Sequence, residues 1–333
     1  MIEEISEDLY RIKLLLPRNY PKSVNAYVVR DAERSLIIDA GLQVDKCMEA
    51  MQAAMKKLGV NVAKADLFLT HCHGDHIGFA ARLIQAGSTV YLNKLEADHV
   101  HEVESGALTR EFRALYQMSG IPEGNVEEML FYLVRDDLKS GGTLPFQFTA
   151  GGDILKREKY QFTCVETPGH SKGHMCLYEP NRKLFISGDH LLEDAGPVIP
   201  GRFGNDNPLK DYLLSLAALE ELDIELVLPG HGRPFGKSKQ RIRETMDHHH
   251  QENLNILSIL REGRKTPYEI SSHIMSMRNE GSTKRLTILQ VFVFVAGTLG
   301  RLRYLEEEGK IKKVVENQVA IYSLEKEEKS GLP

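Results

Sequence analysis

The sequence DLFLTHCHGDH, residues 66–76, sets four potential metal-binding groups directly behind a short run of apolar and β-branched residues. Such a run is typical of a buried β-strand. The potential ligands that follow it are His71, His73, Asp75 and His76. Imidazole and carboxylate groups are costly to bury unpaired, whereas three or four of them together bind zinc and similar ions. The stretch therefore predicts a strand that ends in a metal-binding loop.

Other short strands are predicted to end in the same way, with glycine beside an acidic residue or a histidine. The residues at these ends are Asp39, His170, Asp189 and His231. Glycine allows the tight turn that directs the next side chain, and strand ends on one sheet edge can converge on one point. Residues 45–58 and 209–222 carry apolar side chains at helical spacing between these strands. The alternation of strands and helices predicts a layered α/β domain.

In their order along the chain, these motifs resemble those of the metallo-β-lactamase superfamily over about residues 5–235. The resemblance implies an αββα sandwich with a dinuclear metal site at the edge between the two sheets. The implied cofactors are two divalent metal ions. Zinc is the first choice, with iron or manganese as alternatives, because His and carboxylate ligands suit all three.

The resemblance also implies a role for each residue of the motifs. The implied ligands of the first metal ion are His71, His73 and His170. The implied ligands of the second metal ion are Asp75, His76 and His231. Asp189 would bridge both ions, and Asp39 would support the metal loop without binding a metal itself.

The reaction implied by this resemblance is hydrolysis, in which a metal-bound hydroxide attacks an ester, thioester or lactone carbonyl of a small, partly apolar substrate. Asp75 is the expected catalytic residue, because it would orient the nucleophile and pass a proton to the leaving group. A bridging carboxylate such as Asp189 is unusual in true β-lactamases of this fold, which argues against antibiotic cleavage. The pattern is more similar to glyoxalase II and to the β-lactamase-like-protein-2 subgroup. The basic residues of the glutathione site of glyoxalase II have no match in this chain.

The alternative function is that of a phosphodiesterase or ribonuclease of the same fold, since the β-lactamase-like-protein-2 subgroup includes an RNA-cleaving member. Such an enzyme should present Lys and Arg around the cleft to hold a polyanion. Lys172 and Arg202 are the basic residues nominated near the motifs, and together with His190 they are predicted to contact the substrate. This sparse basic field favours a small-molecule partner over a nucleic acid.

Residues 93–149 interrupt the alternation of strands and helices. Within them, residues 96–118 and 126–138 are predicted to be helices rich in Phe, Tyr, Met and Leu. These helices either pack on the main core, as most amphipathic helices do, or cover the active site as a lid. We therefore predict a catalytic domain over residues 1–245 that contains a helical insertion at about residues 93–149.

Residues 246–333 are predicted to form a small second domain, because a chain of 333 residues favours two. Helices, one of which starts at a capping Thr266, precede a two-stranded hairpin, a pattern that is typical of a winged-helix-like domain. The net charge of the chain is −5, and the sequence does not show the clear basic stripe that is expected of a DNA-binding domain. A packing or dimerisation module, and hence a homodimer, is the expectation. Three consecutive histidines, residues 248–250, are interpreted as a polar helix face.

The N-terminal residues are acidic and lack the apolar run of a secretory signal. The most apolar stretch, residues 288–295, is too short to span a bilayer. The four cysteines form no CxxC pair, which favours reduced thiols. We therefore expect a cytoplasmic enzyme that does not associate with a membrane.

Overall fold

The computed structural model describes residues 1–17, 22–133, 144–194, 196–201, 206–278 and 287–325. The strands are β1 (Ile2–Ser6), β2 (Leu9–Leu15), β3 (Ser23–Val29), β4 (Ser35–Ile38), β5 (Ala65–Phe68), β6 (Val90–Asn93), β7 (Phe146–Thr149), β8 (Ile154–Arg157), β9 (Tyr160–Glu166), β10 (Met175–Glu179), β11 (Leu184–Gly188), β12 (Leu226–Pro229), β13 (Ile311–Glu316) and β14 (Val319–Leu324). The helices are α1 (Asp45–Leu58), α2 (Gly74–Ile77), α3 (Ala80–Leu83), α4 (Lys94–Glu104), α5 (Ala107–Met118), α6 (Glu123–Leu133), α7 (Pro208–Leu219), α8 (Ser238–Arg261), α9 (Pro267–Arg278) and α10 (Ile288–Glu307), with a 3₁₀ helix at Val62–Lys64.

The chain divides into two compact units. The first unit consists of Met1–Leu108, Leu133–Pro197 and Asp211–Thr245. The second unit consists of Thr109–Tyr132, Val198–Lys210 and Met246–Pro333. Most of α5 and α6, which the sequence assigns to the insertion, is therefore grouped with the C-terminal residues. The predicted limits of the two domains stay a prediction.

The first unit contains two β-sheets. The seven-stranded sheet has the order β1-β2-β3-β4-β5-β6-β7, and the five-stranded sheet has the order β12-β11-β10-β9-β8. In the larger sheet, β1 to β4 pair antiparallel and β4 to β7 pair parallel. In the smaller sheet, only β11 and β12 pair parallel. Parallel neighbours such as β4 and β5 end at the same sheet edge, so the loops that follow them lie close together.

The alternation of side chains along each strand produces two separate cores in this unit. In β3, Val28 belongs to a cluster that also contains Met51 of α1. Its neighbour Val29 belongs to a second cluster, in which Phe68 of β5 lies with Phe162 of β9. Because the second cluster draws on both sheets, the sheets pack face to face, with α1 on the outer face of the larger one.

Helix α7 lies against the loops that follow two strands of the smaller sheet. The hydroxyl of Tyr212 donates a hydrogen bond of 2.7 Å to the carbonyl of His190, just after β11. The hydroxyl of Ser215 donates one of 3.0 Å to the carbonyl of Pro168, just after β9. The unit thus has the αββα architecture that the sequence predicts.

The C-terminal part of the second unit follows the sequence prediction in its helix start and its hairpin. Thr266 and Glu269 form the predicted capping box, each side chain accepting a hydrogen bond from the other's backbone N–H. Strands β13 and β14 pair antiparallel, and the turn between them has positive φ at Asn317 and Gln318. The winged-helix-like character of the domain stays a prediction. The interpretation of residues 248–250 as a polar face is wrong for His249, which is 2% exposed because the apolar side of α8 faces the core.

Among its described residues, the predicted insertion contains three helices, α4 to α6, and its last residues form β7 of the larger sheet. The prediction of one helix over residues 96–118 is wrong, because the chain turns at residues 105–106 between α4 and α5, where Gly106 has positive φ. Helix α6 ends at Leu133, and the last residues of the predicted helix, 134–138, lie outside the described residues. Helix α4 belongs to the first unit, whereas residues 109–132 belong to the second. A role of these helices as a cover over the active site stays a prediction.

Among the described residues, α10 is long and apolar enough to cross a membrane, judged by its length of 20 residues and its composition alone. The apolar stretch that the sequence indicates, residues 288–295, is the first part of this helix, which continues to Glu307. The expectation that it does not span a bilayer stays a prediction. Core helices pass the same test of length and composition, and α10 buries residues such as Leu302 and Leu305. The finding is weak support for a membrane span.

Candidate metal centre

The loop after β5 carries four of the candidate ligands. His71 lies at the end of the extended segment, and His73 is the N-terminal flanking residue of the short helix α2. Asp75 and His76 lie within α2 itself. The strand therefore directs the first two imidazoles, while the turn of helix brings the next two groups around towards the same point.

The remaining ligands come from loops of the smaller sheet. His170 follows β9, Asp189 follows β11 directly, and His231 follows β12. Gly230 allows the last of these loops to approach, because a Cβ at this position would collide with Asp189 Oδ1 and lie 2.8 Å from His76 Cε1. The glycine beside His231 is thus required by the closeness of the ligands themselves.

Three histidines form one half of the cluster, here called the three-histidine half: His71, His73 and His170. Nε2 of His71 lies 3.1 Å from Nδ1 of His73, and Nε2 of His170 lies 2.9 Å from the same Nδ1. The rings meet edge to face, with centroids 4.6 Å apart for each of these pairs. Their nitrogen atoms converge on one point, as the ligands of a single metal ion do.

The other half, here called the acidic half, consists of Asp75, His76 and His231. Oδ2 of Asp75 lies 3.3 Å from Nε2 of His231. Asp189 lies between the halves: its Oδ1 is 3.5 Å from His76 Nε2, and its Oδ2 is 3.3 Å from His231 Nε2 and 3.6 Å from His170 Nε2. One carboxylate therefore faces ligands of both halves.

The donor set fits metal ions. The ligand atoms form three groups, His71–His73–His170, His71–His76–Asp189 and Asp75–His76–His231, and within each group they lie within 4.8 Å of one another. His76 Nε2 and Asp189 Oδ1 are buried and have no hydrogen-bond partner among the residues that the structure describes. Buried polar atoms without a partner are costly, and a cation between them would remove that cost.

The three-histidine half favours neutral imidazoles. Burial lowers the pKa of His71 well below its usual range, and the charges of neighbouring histidines lower it further. Burial likewise lowers the pKa of His73, with the charge of His170 as the next cause. A neutral imidazole keeps the lone pair that a metal ion requires.

The acidic half favours charged groups. Burial opposes ionisation of Asp75, but the positive charges of His76 and His231 lower its pKa to about 2. The same two histidines hold the pKa of Asp189 well below its usual range, again against burial. Conversely, the carboxylates outweigh the effect of burial on His76 and raise its pKa to about 10. This half therefore holds ionised carboxylates and protonated imidazoles, and a metal ion would have to displace those protons.

Asp39 connects the loop after β4 to the ligand loop. Its carboxylate accepts hydrogen bonds from the backbone N–H and the hydroxyl of Thr70, and its Oδ2 lies 2.8 Å from His76 Nδ1. Asp39 itself adopts a left-handed backbone conformation with φ of 61°, which aims the side chain into the site. His231 is oriented in a similar way, because its Nδ1 lies 2.7 Å from the carbonyl of Ser23. The remaining ring nitrogen of each histidine points at the cluster.

Two buried residues near the cluster are absent from the sequence prediction. Nε2 of His174 accepts a hydrogen bond of 3.2 Å from the backbone N–H of Asp189, and its Nδ1 lies 2.8 Å from the hydroxyl of Thr167. Glu96 accepts hydrogen bonds from the backbone of two ligand loops. His174 could have been predicted, because it follows the candidate ligand His170 by four positions. Glu96 lies on α4, far from every motif in the sequence, and has no such signal.

The residues predicted to contact the substrate have different surroundings. Lys172 is exposed on the loop between His170 and His174. His190 is fully buried, with its ring centroid 4.8 Å from that of Tyr212, and this gives its predicted role no support. Arg202 lies outside the described residues. The roles assigned to all candidate site residues stay predictions.

Residues 19–231 match the family described as the metallo-beta-lactamase superfamily, and this span includes all the candidate ligands. The chain therefore belongs to the metallo-β-lactamase superfamily, and it is a metal-dependent hydrolase, as the sequence predicts.

Its relatives include hydrolases from bacteria and animals. Over 332 residues it is 24% identical to the probable metallo-hydrolase YqjP of Bacillus subtilis, covering 95% of this chain and 98% of the relative. Over 231 residues it is 28% identical to the acyl-coenzyme A thioesterase MBLAC2 of Gallus gallus, covering 65% of this chain and 74% of the relative. The crystal structure of the metallo-beta-lactamase family protein TTHA1429 of Thermus thermophilus is similar with a TM-score of 0.82 and 27% identity, covering 96% of this chain and 100% of that protein.

Proposed function

We propose that this protein is a dinuclear metal-dependent hydrolase that cleaves the bond between the carbonyl carbon and the leaving group of small acyl substrates, with acyl thioesters as the preferred class. The observation that carries the dinuclear assignment is the position of Asp189, whose two oxygens lie 3.3 to 3.6 Å from histidine nitrogens of both halves. A carboxylate in this position can bridge two cations and reduce their mutual repulsion.

In this proposal the three-histidine half and the acidic half each hold one divalent ion, with zinc as the first choice. Bound ions would supply a hydroxide nucleophile at neutral pH and stabilise the negative charge that develops on the carbonyl oxygen. The chain contributes the fixed positions of the ligands. Asp39, His174 and the carbonyl of Ser23 hold those ligands in place from outside the cluster.

Asp75 is proposed to orient the attacking nucleophile. In the metal-free protein the positive charges of His76 and His231 outweigh burial and lower its pKa to about 2, and a bound cation would take the place of those charges. Asp75 would then stay ionised at neutral pH and accept a hydrogen bond from the nucleophile. When the carbonyl carbon is attacked, the bond from carbon to the leaving sulfur or oxygen breaks, and the leaving group departs with the electron pair. A thiol with a pKa near 8.5 leaves readily as a thiolate, whereas an alkoxide needs a proton during departure. An ionised Asp75 therefore supports a thioester over an alkyl ester, and any proton that it passes on must first come from the nucleophile.

The similarity to a relative named as an acyl-coenzyme A thioesterase supports the same substrate class. A phosphodiester polyanion would require cationic contacts around the metals. Among the described residues that directly flank the candidate ligands after His76, Lys172 and Arg233 are basic, and Arg233 forms an ion pair with Glu193. Two such side chains form a sparse basic field. The net charge of −5 also disfavours a nucleic acid as the substrate.

The test is a parallel assay of the metal-loaded enzyme on acyl thioesters, aryl esters, lactones, bis-aryl phosphodiesters and single-stranded RNA. We expect kcat/KM to be highest for thioesters and to vanish in metal-stripped protein. Elemental analysis should give two divalent ions per chain after reconstitution. Salt-sensitive cleavage of RNA without acyl hydrolysis would reverse the proposal in favour of a ribonuclease. A stoichiometry of one ion under excess metal would contradict the dinuclear assignment.

A further inference from the structure

Helix α4 begins beside the three-histidine half and carries a buried acidic residue in its first turn. Asn93 is the N-terminal cap, since its Oδ1 accepts a hydrogen bond of 2.9 Å from the backbone N–H of Leu95. In many helices an acidic side chain at the third position bonds back to the backbone of the cap residue. Glu96 occupies this position, is 1% exposed, and points elsewhere.

The carboxylate of Glu96 is shared between two loops. Its Oε2 accepts a hydrogen bond of 2.9 Å from the backbone N–H of Cys72, which lies between the ligands His71 and His73. Its Oε1 accepts one of 2.6 Å from the backbone N–H of Gly173, three residues after the ligand His170. Both are charge-assisted bonds in a buried setting, where such bonds are short and strong.

Gly173 is required by the same contact. A Cβ at this position would lie 2.5 Å from Asn93 Oδ1 and 3.0 Å from Leu95 Cβ, so the loop approaches the start of α4 more closely than any other residue would allow. The positive φ that usually selects glycine does not apply here, because Gly173 is not among the residues with positive φ. Close packing alone therefore accounts for this glycine.

We infer that Glu96 is a positioning residue for the three-histidine half. It fixes the distance between the loop of His71 and His73 and the loop of His170, and thereby sets the 2.9 Å approach of His170 Nε2 to His73 Nδ1. This inference rests on the proposed metal site. Both hydrogen bonds to Glu96 come from backbone N–H groups, so Glu96 acts on the ligand side chains through the backbone.

The test replaces Glu96 by glutamine, which has the same shape but carries an NH₂ group in place of one oxygen. One backbone N–H, of Cys72 or of Gly173, then faces another donor and loses its bond. We expect the affinity for the ion in the three-histidine half to fall by about 10- to 100-fold, the range found for residues that support metal ligands from outside. Cobalt-substituted protein should show altered d–d absorption bands, because these bands report the geometry of the ligands.

Glu179→Gln is the matched control. Glu179 is also 1% exposed and also accepts a backbone hydrogen bond, of 2.6 Å from Arg182. Its bonds to the described residues Asn181 and Arg182 lie within its own turn, away from the ligand loops. This variant should lose a similar amount of thermal stability while its cobalt spectrum and metal affinity stay those of the wild type. A second variant, Gly173→Ala, should reproduce the effect of Glu96→Gln by pushing the His170 loop away from α4. Gly124→Ala, where a Cβ would meet nothing within 4 Å, is its control.

The outcomes separate this inference from the proposed metal site. If wild-type protein binds cobalt and His73→Ala loses one bound ion together with part of the d–d absorption, the metal site stands. In that case, unchanged spectra and affinities in both Glu96→Gln and Gly173→Ala would overturn the positioning role. If His73→Ala leaves cobalt binding unchanged, the proposed site itself is wrong.

Discussion

The histidines of the two halves of the cluster have opposite ionisation states. In the three-histidine half, burial lowers the pKa of His71 and His73, so the imidazoles are neutral. In the acidic half, carboxylates raise the pKa of His76 to about 10 and keep protons on the imidazoles. The difference comes from the neighbours of each histidine and not from its depth, since His71 and His76 are both fully buried. The first half is therefore ready for a cation, whereas the second must exchange protons for one.

Replacing Asp189, which faces both halves, should have the largest effect on the cluster. In Asp189→Asn the side chain keeps its size but loses its charge, so neither ion gains a bridging carboxylate. We expect a metal content below two ions per chain and a fall in kcat/KM of at least about a hundredfold. Mutation of residues that only support metal ligands already lowers metal affinity or activity by about 10- to 100-fold. Elemental analysis and steady-state kinetics measure both effects.

A circular-dichroism melting curve should show that Asp189→Asn still folds. Glu179→Gln again serves as a control for loss of a buried carboxylate, because its partners lie within its own turn. Full metal content and normal turnover in Asp189→Asn would remove Asp189 from the site.

A smaller effect concerns protons that are released when the metal binds. At pH 8, His76 with a pKa of about 10 carries a proton in the metal-free protein. Burial lowers the pKa of His231, but Asp189 and Asp75 outweigh burial and raise it well above its usual value. Metal binding to the acidic half must displace the protons of these imidazoles. The affinity of this half for the metal ion therefore rises with pH, by up to about tenfold per pH unit for each proton displaced, until the pH reaches the raised pKa. The three-histidine half releases no such protons at this pH because its imidazoles are already neutral.

Isothermal titration in buffers of different ionisation enthalpy measures this proton release. We expect the first equivalent of zinc to show the smaller dependence on the buffer and the second to release more protons, because the second must displace those of the imidazoles in the acidic half. In His231→Ala, the second event should disappear. Equal proton release in both events would mean that the two halves do not differ in protonation as described.

The sequence predicts the strands and the clustering of the His and Asp side chains well because both depend on local pattern. The apolar run before His71 and the glycines beside His170, Asp189 and His231 are visible in the chain itself. Supporting residues are harder to predict, because their function depends on contacts between distant segments. Glu96 is separated from Gly173 by 77 positions, and its local signal indicates only a helix start.

The predicted insertion shows the same limit. Its helices could be predicted from their apolar residues, but the grouping of residues 109–132 with the C-terminal unit could not. Helical periodicity indicates that one face of a helix is buried, and it does not identify the segment that buries it. The burial of His249 likewise depends on which side of α8 faces the core.

His249 provides the smallest and sharpest contrast with the cluster, since it is a buried histidine of the second unit outside the candidate ligand set. Burial, with the positive charge of Arg301 as the next cause, lowers its pKa from 6.5 to about 3. Above pH 6.5 the imidazole is neutral in the folded and the unfolded chain, and stability is unaffected. As the pH falls below 6.5 the unfolded chain takes up a proton that the folded chain refuses, so the free energy of unfolding falls until the pH approaches 3. At pH 5 the loss amounts to about 2 kcal/mol, at 1.36 kcal/mol per pKa unit.

Urea unfolding of the metal-free wild type and of His249→Gln at pH 7 and pH 5 measures this loss. Between these pH values, the free energy of unfolding of the wild type should fall by about 2 kcal/mol more than that of the variant. His250→Gln, on the exposed face of the same helix, should behave as the wild type. If wild type and His249→Gln lose the same stability between these pH values, His249 is not held neutral by burial.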